Sequence, residues 1–372
     1  RNRGIGRRLL LPVPFRFHDG ARQGLDGGGV TRLGAPSSSL PIHWAERSPV
    51  FVSGGSGFVG GAVVEHLVGA GADVRALARS EAAADLVGAK GATAVGGDVG
   101  DRDALAAGMS GCDIAFHVAG VNAMCLSDPG ILYRTNVDGV RVVVSAAAEA
   151  GVRRIVLTSS AAALGEPEGA VANEETPHSG EFLSHYARSK HLGELAFFEE
   201  ASRVGIEAVA VNPSSVQGPG RSGGSTLILR LALNMRRPVA VDTTLSIVDI
   251  DDCAAAHVLA AQRGTGGSRY LISGSSIPVR EAVALLSEIV ERPIEPIMIS
   301  RELAYLAYPL VGMAGLARGD RPICVEMLRT LLHGHRFDVS RSIRDLGMSY
   351  TPMSRTFDRT VRWLAQEGLV GR

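Results

Sequence analysis

From residue 49 onward the chain alternates between short apolar runs and longer stretches in which apolar side chains recur every three or four residues. Pro49-Val50-Phe51-Val52-Ser53 is short, continuous and apolar, and predicts a buried strand; Gly60 to Val68 follows with i, i+3, i+4 spacing and predicts a helix. The rhythm repeats, with strands expected at 72–80, 92–99, 112–120, 153–160 and 206–212 and helices at 81–89, 101–109, 130–150 and 184–204. Strands separated by helices call for parallel pairing with right-handed crossovers. The expected fold class is therefore α/β, a Rossmann-type doubly wound parallel sheet.

After residue 212 the rhythm degrades. "PSSVQGPGRSGGS" is turn-rich, a helix follows, "LSIVDI" reads as a strand, and a further helix, "SRYLISG" and mainly helical patterns lead to the C-terminus. This predicts a smaller, mostly helical substrate-binding domain formed by 213–240 and 274–372. The nucleotide-binding domain is expected to span 49–212 plus about 241–273. There is no internal repeat and no heptad run.

The link between the first strand and helix is "FVSGGSGFVGG". Glycine there lets the chain turn tightly and lets backbone approach a pyrophosphate, which the N–H groups of the following helix can bind. The spacing Gly54-x-x-Gly57-x-x-Gly60 departs from the G-x-G-x-x-G of most dehydrogenases. Further along, "IVLTSS" ends in Ser159-Ser160, and Tyr186 and Lys190 lie four residues apart in a helical stretch, hence on one face. With six tyrosines and only Lys90 and Lys190 as lysines, such a pair rarely arises by chance.

That trio suits carbonyl chemistry. Hydride reduction needs a proton donor at the oxygen, and an unperturbed tyrosine is too weak an acid for neutral pH. A neighbouring ammonium lowers a phenol's pKa, so Lys190 is expected to tune Tyr186, and Ser160 to orient the substrate oxygen.

"SGGSGFVG", "DIAFHVAG", "TNVDGV", "IVLTSSAAALG", "YARSK" and "VNPSSVQGPG" occur in the order found in extended short-chain dehydrogenases/reductases, the NAD-dependent epimerase/dehydratase family, which the chain resembles from 49 to about 280. The C-terminal "VSRSIRDLGMSYTP" is also similar to the ending of many relatives. The resemblance implies a catalytic set of Ser160, Tyr186 and Lys190, with Lys190 also holding the nicotinamide ribose. It implies cofactor contacts from Gly54, Gly57, Phe58, Val59, Gly60, Arg79, Asp98, Val99, Val118, Ala119, Gly120 and Pro213. Asn136 matches a position whose role is helix geometry.

Dehydratases of the family carry Asp-Glu directly after the serine, where this chain has Ala161 and Ala162, so elimination of water is not expected. A ketone or aldehyde reductase is the expected activity. A nucleotide-sugar epimerase with bound NAD, using Arg221, Arg230, Arg236 or Arg237 on the diphosphate, and a non-catalytic NADP sensor are the alternatives. The substrate pocket is expected from 121–132 and 213–240. At the end of the second strand, where NAD-specific sites place an acid, stand Ala78 and Arg79, which favours NADP over NAD, with Glu81 left to serve NAD otherwise.

Composition adds limits. With 45% apolar residues over 372 positions the chain can bury a large core, and its zero formal net charge gives no electrostatic case for nucleic acid. Residues 1–48 hold eight arginines against Asp19, Asp26 and Glu46, without a sustained period, and read as a disordered or non-native tail, a transit peptide being the alternative. The apolar run 303–317 is broken by Pro309 and too short for a bilayer span; it is expected as a packed helical cap, with no membrane association. Cys112, Cys125, Cys253 and Cys324 form no C-x-x-C pair, so no metal site is expected and a reducing, cytoplasmic setting is. The partner expected is a small-molecule substrate, with a homodimer left open.

Overall fold

Seven short strands carry the molecule. A computed structural model describes residues 48–306 and 324–370; the expectations for the tail lie outside these residues, as do those for most of the 303–317 run. The strands are β1 (Val50–Ser53), β2 (Val74–Ala78), β3 (Thr93–Gly96), β4 (Ile114–His117), β5 (Arg154–Thr158) and β6 (Glu207–Pro213), joined at the far edge by β10 (Arg269–Ile272). Their order is β10-β6-β5-β4-β1-β2-β3 and every pairing is parallel. The central strands are buried on both faces, which is why they appear in the sequence as continuous apolar runs rather than alternating ones.

Helices cover both faces. On one side α1 (Phe58–Gly69) and α8 (Ile250–Arg263) pack together over Val52, Phe116, Val156 and Val211. On the other, α3 (Arg102–Met109), α5 (Gly139–Glu149) and α6 (His185–Val204) cover Phe51, Ala115, Ile155 and Ala210. Between β2 and β3 runs α2 (Glu81–Gly88), and α4 (Gly130–Tyr133) enters α5 through a π turn at Arg134–Asp138. The helix starts follow from local chemistry: Ser80, Asp101 and Ser184 each accept a hydrogen bond from a backbone N–H of the first turn. Gly205, at φ +76°, ends α6 in the left-handed conformation.

The smaller unit contains β7 (Ser215–Gln217), α7 (Thr226–Asn234), β8 (Val239–Val241), β9 (Thr244–Asp249), β11 (Ser275–Pro278), α9 (Val279–Ile289) and β12 (Ile297–Ile299), with helices at Val325–His333 and Met353–Gln366. β11, β9 and β7 form one sheet, and β12 and β8 a ribbon. Leu233, Ile247, Leu286, Phe357 and Leu364 make its core. Leu346 and Met348, late in the chain, pack instead beside the parallel sheet. Among the described residues no helix is long and apolar enough to cross a membrane.

The cysteines depart from expectation. Cys125, after β4, is disulfide-bonded to Cys324, at the start of the Val325–His333 helix, across 199 residues of chain; Cys112 and Cys253 are buried thiols. Sequence spacing could not reveal a pair that only the docking of the smaller unit brings together. Thiol titration of the denatured, unreduced chain should count two thiols, Cys112 and Cys253. Reduction should expose the other pair and lower stability by about 2–4 kcal/mol, measured as a shift in the denaturation midpoint.

Candidate active site

The C-terminal ends of the parallel strands form one edge, and almost every residue singled out in the sequence lies along it. Gly54 follows β1, Arg79 follows β2, Asp98 and Val99 follow β3, Val118 to Gly120 follow β4, Ser160 follows β5 and Pro213 ends β6. Open α/β sheets bind ligands at this edge.

The glycine loop is compressed to the limit of its backbone. A Cβ on Gly60 would lie 2.0 Å from the Gly54 carbonyl oxygen; Gly54 itself sits at φ +77°, where a Cβ would be 2.6 Å from the Ala119 nitrogen. Gly57, the N-cap of α1, supplies no side chain to the first-turn N–H groups. Those donors are available to an anion. Phe58 and Val59 begin α1 partly buried against the core. Ser53 accepts from the Ala119 N–H at 3.3 Å and holds His117 Nδ1 at 2.7 Å, fixing β4's exit beside the loop. Burial of that imidazole, aided by the charge of Lys190, drives its pKa down to about 3.

Along the edge, Arg79 is exposed and makes no hydrogen bond or ion pair among the described residues; Ala78 before it is buried. Asp98 is exposed and accepts from the Gly100 N–H at 3.1 Å, while Val99 packs against the core. Asn136 does not face this edge as a reacting group. It brackets Val121, accepting from its N–H at 2.8 Å and donating to its carbonyl at 3.0 Å, and donates to Ser189 at 3.0 Å. Gly193 lets α6 pass this π turn, since a Cβ there would lie 2.0 Å from the Asn136 oxygen.

Tyr186 is buried at 8% exposure with the Ser160 side chain close enough to act on its hydroxyl, and Ser160 Oγ accepts from the Ala162 N–H at 3.2 Å. Lys190, one turn on, donates from Nζ to the Thr158 carbonyl at 2.8 Å and lies against Gly120. The expected coupling between lysine and tyrosine is not what the geometry gives. Burial raises the Tyr186 pKa; the influences lowering it are the Ser160 side chain and the guanidinium of Arg221. The ammonium of Lys190 is committed to Thr158, and burial lowers its own pKa to about 8 against the opposing charge of Glu194.

Arg221 is the site residue whose place the sequence did not reveal. Its guanidinium carbon stands 5.8 Å over the Phe58 ring, linking the glycine loop to the tyrosine, and burial lowers its pKa. It comes from the turn-rich loop after β7, where no periodicity predicts direction. Arg230 donates to the Ser222 carbonyl at 3.1 Å, and Arg236 and Arg237 are exposed. The arrangement offers a buried hydroxyl that can give or take a proton, a second hydroxyl beside it, two cations and a glycine cradle for a phosphate.

A doubly wound sheet with this loop and this Ser, Tyr and Lys grouping defines a nucleotide-cofactor enzyme of the short-chain dehydrogenase/reductase type. The model of the NAD dependent epimerase/dehydratase family matches residues 50–273. The chain belongs to that family and is an NAD(P)-dependent oxidoreductase of this type. It is 32% identical over 342 residues to a Synechocystis protein provisionally named dihydroflavonol 4-reductase, covering 88% of this chain and 98% of that one. With a 2-alkyl-3-oxoalkanoate reductase of Shewanella oneidensis it shares 31% identity, over 84% and 85% of the two chains. The crystal structure of gox2253 superposes with a TM-score of 0.76 at 30% identity, covering 87% of this chain and 99% of that one.

Gly60→Ala tests the cradle. The new methyl cannot coexist with the Gly54 carbonyl, so the loop must shift at a cost of about 1–3 kcal/mol. Melting temperature should fall, and titration with NADH and NADPH should show at least tenfold weaker binding of both.

Proposed function

We propose that this chain reduces the carbonyl of a small ketone or aldehyde with NADPH, through a Ser160, Tyr186 and Lys190 site. The observation that carries the reading is the buried Tyr186 hydroxyl, with the Ser160 side chain beside it and the charge of Arg221 acting on it. When bound, the nicotinamide supplies the hydride to the carbonyl carbon.

The chain's own groups do the rest. Tyr186 donates its proton to the carbonyl oxygen as negative charge develops there, and in the reverse direction takes it from the alcohol. Ser160 donates a hydrogen bond to the same oxygen from beside the phenol. Arg221 favours phenolate once the proton has left. Lys190, held by Thr158 beside Gly120, is positioned to bind ribose hydroxyls, as Gly54, Gly57 and Gly60 are to admit the pyrophosphate. Phe58, Val59, Asp98, Val99, Val118, Ala119 and Pro213 complete the cofactor wall.

The names of the Synechocystis and Shewanella relatives support reduction over epimerisation. Of the four candidate arginines Arg230 is engaged with the Ser222 carbonyl and Arg236 and Arg237 are exposed, so the structure brings no cluster of them together for a nucleotide-sugar diphosphate. Ala161 and Ala162 offer no acid or base for dehydration. The free guanidinium of Arg79 beside Ala78 supports a 2′-phosphate. The same reading takes the cytoplasm as the setting, where the Cys125 to Cys324 bridge marks the oxidised form of the chain, and a homodimer as the assembly.

Two measurements decide it. Tyr186→Phe should lower kcat by about 10²–10⁴ while NADPH binding stays within a few-fold. Lys190→Met should weaken binding as well and abolish the loss of cofactor affinity that deprotonation imposes above pH about 8. Near wild-type turnover in Tyr186→Phe overturns the assignment. For the cofactor, kcat/KM should favour NADPH in the wild type, and Arg79→Ala should lower it for NADPH with little change for NADH. A wild-type preference for NADH that survives the substitution returns the chain to the epimerase reading.

A further inference from the structure

Away from the tyrosine, Glu166, His333 and His335 bring one carboxylate oxygen and two imidazole nitrogens within 4.8 Å of one another. Glu166 lies in the segment after β5 and is 5% exposed. The side chains at ion-pair distance from it, among the described residues, are these two histidines: His335 Nδ1 at 2.5 Å and His333 Nε2 at 3.7 Å. His333 Nε2 has no hydrogen-bond partner among the described residues, although its side chain is only 10% exposed. A buried imidazole nitrogen left unpaired costs free energy unless something not yet named binds it.

The backbone is built to hold this arrangement. His333 ends its helix and Gly334 turns the chain at φ +72°, so that two imidazoles two residues apart face one carboxylate, with ring centroids 5.0 Å apart. A Cβ on Gly334 would meet the Thr243 hydroxyl at 2.8 Å. The His335 carbonyl accepts from Ser246 at 2.7 Å, and the Ala172 N–H donates to the Arg336 carbonyl at 3.0 Å. Both histidines are thus fixed to the large sheet's loop and to the smaller unit at once. His335 is 22% exposed, which gives an ion a way in.

We propose that Glu166, His333 and His335 form a binding site for a divalent first-row metal ion, Zn²⁺ or one of similar preference, that pins the segment after β5 to the C-terminal part of the chain. Two imidazoles and a carboxylate are a ligand set such ions accept, with water completing the shell. Ligands at zinc stand roughly 3–3.5 Å apart, so side-chain shifts of about 1 Å suffice. The ion supplies counter-charge to a buried carboxylate. It also occupies the unpaired nitrogen. Cysteine spacing gave no hint of this, because the ligands come from segments 169 residues apart.

The test uses the full, tag-free chain stripped of metal. Equilibrium dialysis against Co²⁺ should load one ion per chain, with visible d–d absorption that Zn²⁺ abolishes by displacement, and the melting temperature should rise with free Zn²⁺. His335→Ala and His333→Ala should each weaken binding at least tenfold, and Glu166→Gln, which keeps shape and a hydrogen-bond acceptor, should do the same. If a histidine variant does not fold, Glu166→Gln and the other histidine variant decide. Absence of stoichiometric Co²⁺ in the wild type, or loading unchanged in the folded variants, overturns the proposal and leaves a charge-assisted hydrogen bond between His335 and Glu166.

Discussion

An ammonium buried at the end of a central strand sets the terms for everything around it. Lys190 is only partly exposed where α6 crosses the sheet edge, and its charge is held by the Thr158 carbonyl with the opposing charge of Glu194 one turn along the helix. Glu194 in turn accepts from Asn212 at 2.6 Å and from Arg269 at 3.1 Å, which couples α6 to β6 and β10. Arg269 continues to the Glu174 carbonyl, and the Glu174 side chain accepts from the Leu271 N–H at 2.8 Å. These bonds tie the helix that carries Tyr186 to β5, β6 and β10, although the Asn212 Oδ1 is left without a partner among the described residues.

That constraint also separates two jobs that the sequence suggested were one. A lysine four residues after a tyrosine invites the view that its charge activates the phenol. Here the helix does put both on one face, but the ammonium points to β5 and the tyrosine to the loop carrying Arg221. On the proposed mechanism, reactivity of the phenol and attachment of a ribose would therefore rest on different cations. Arginine suits the first role, since desolvation leaves it charged where a lysine approaches neutrality.

What could be read from the chain alone is what local periodicity encodes. The strands of the parallel sheet, buried on both faces, announce themselves as apolar runs, and the glycines at 54 and 60 announce a backbone contact no other residue allows. β8, β11 and β12 are three or four residues long, and in β11, "SSIP", serines and a proline mask the strand; these were not legible. Nor were the Cys125 to Cys324 bridge, the position of Arg221 or the meeting of Glu166 with His333 and His335. Each joins segments far apart in sequence, through loops whose course is decided by docking and not by propensity.

The docking itself has a physical centre. Glu326, in the first turn of the Val325–His333 helix, accepts from the His185 N–H at 2.8 Å with one carboxylate oxygen and from the Cys125 N–H at 3.1 Å with the other. His185 is the first residue of α6, directly before Tyr186, and its N–H is one of those a helix leaves unpaired. The disulfide joins the neighbouring residues of the same two segments. Thus the loop after β4, the start of the tyrosine helix and the C-terminal part of the chain meet on one carboxylate and one covalent bond. The edge that carries Ser160 belongs to the parallel sheet, but the start of the helix that carries Tyr186 is held from outside it. A fold can thus keep its sheet while a junction that periodicity does not encode sets the surroundings of a site built on that sheet.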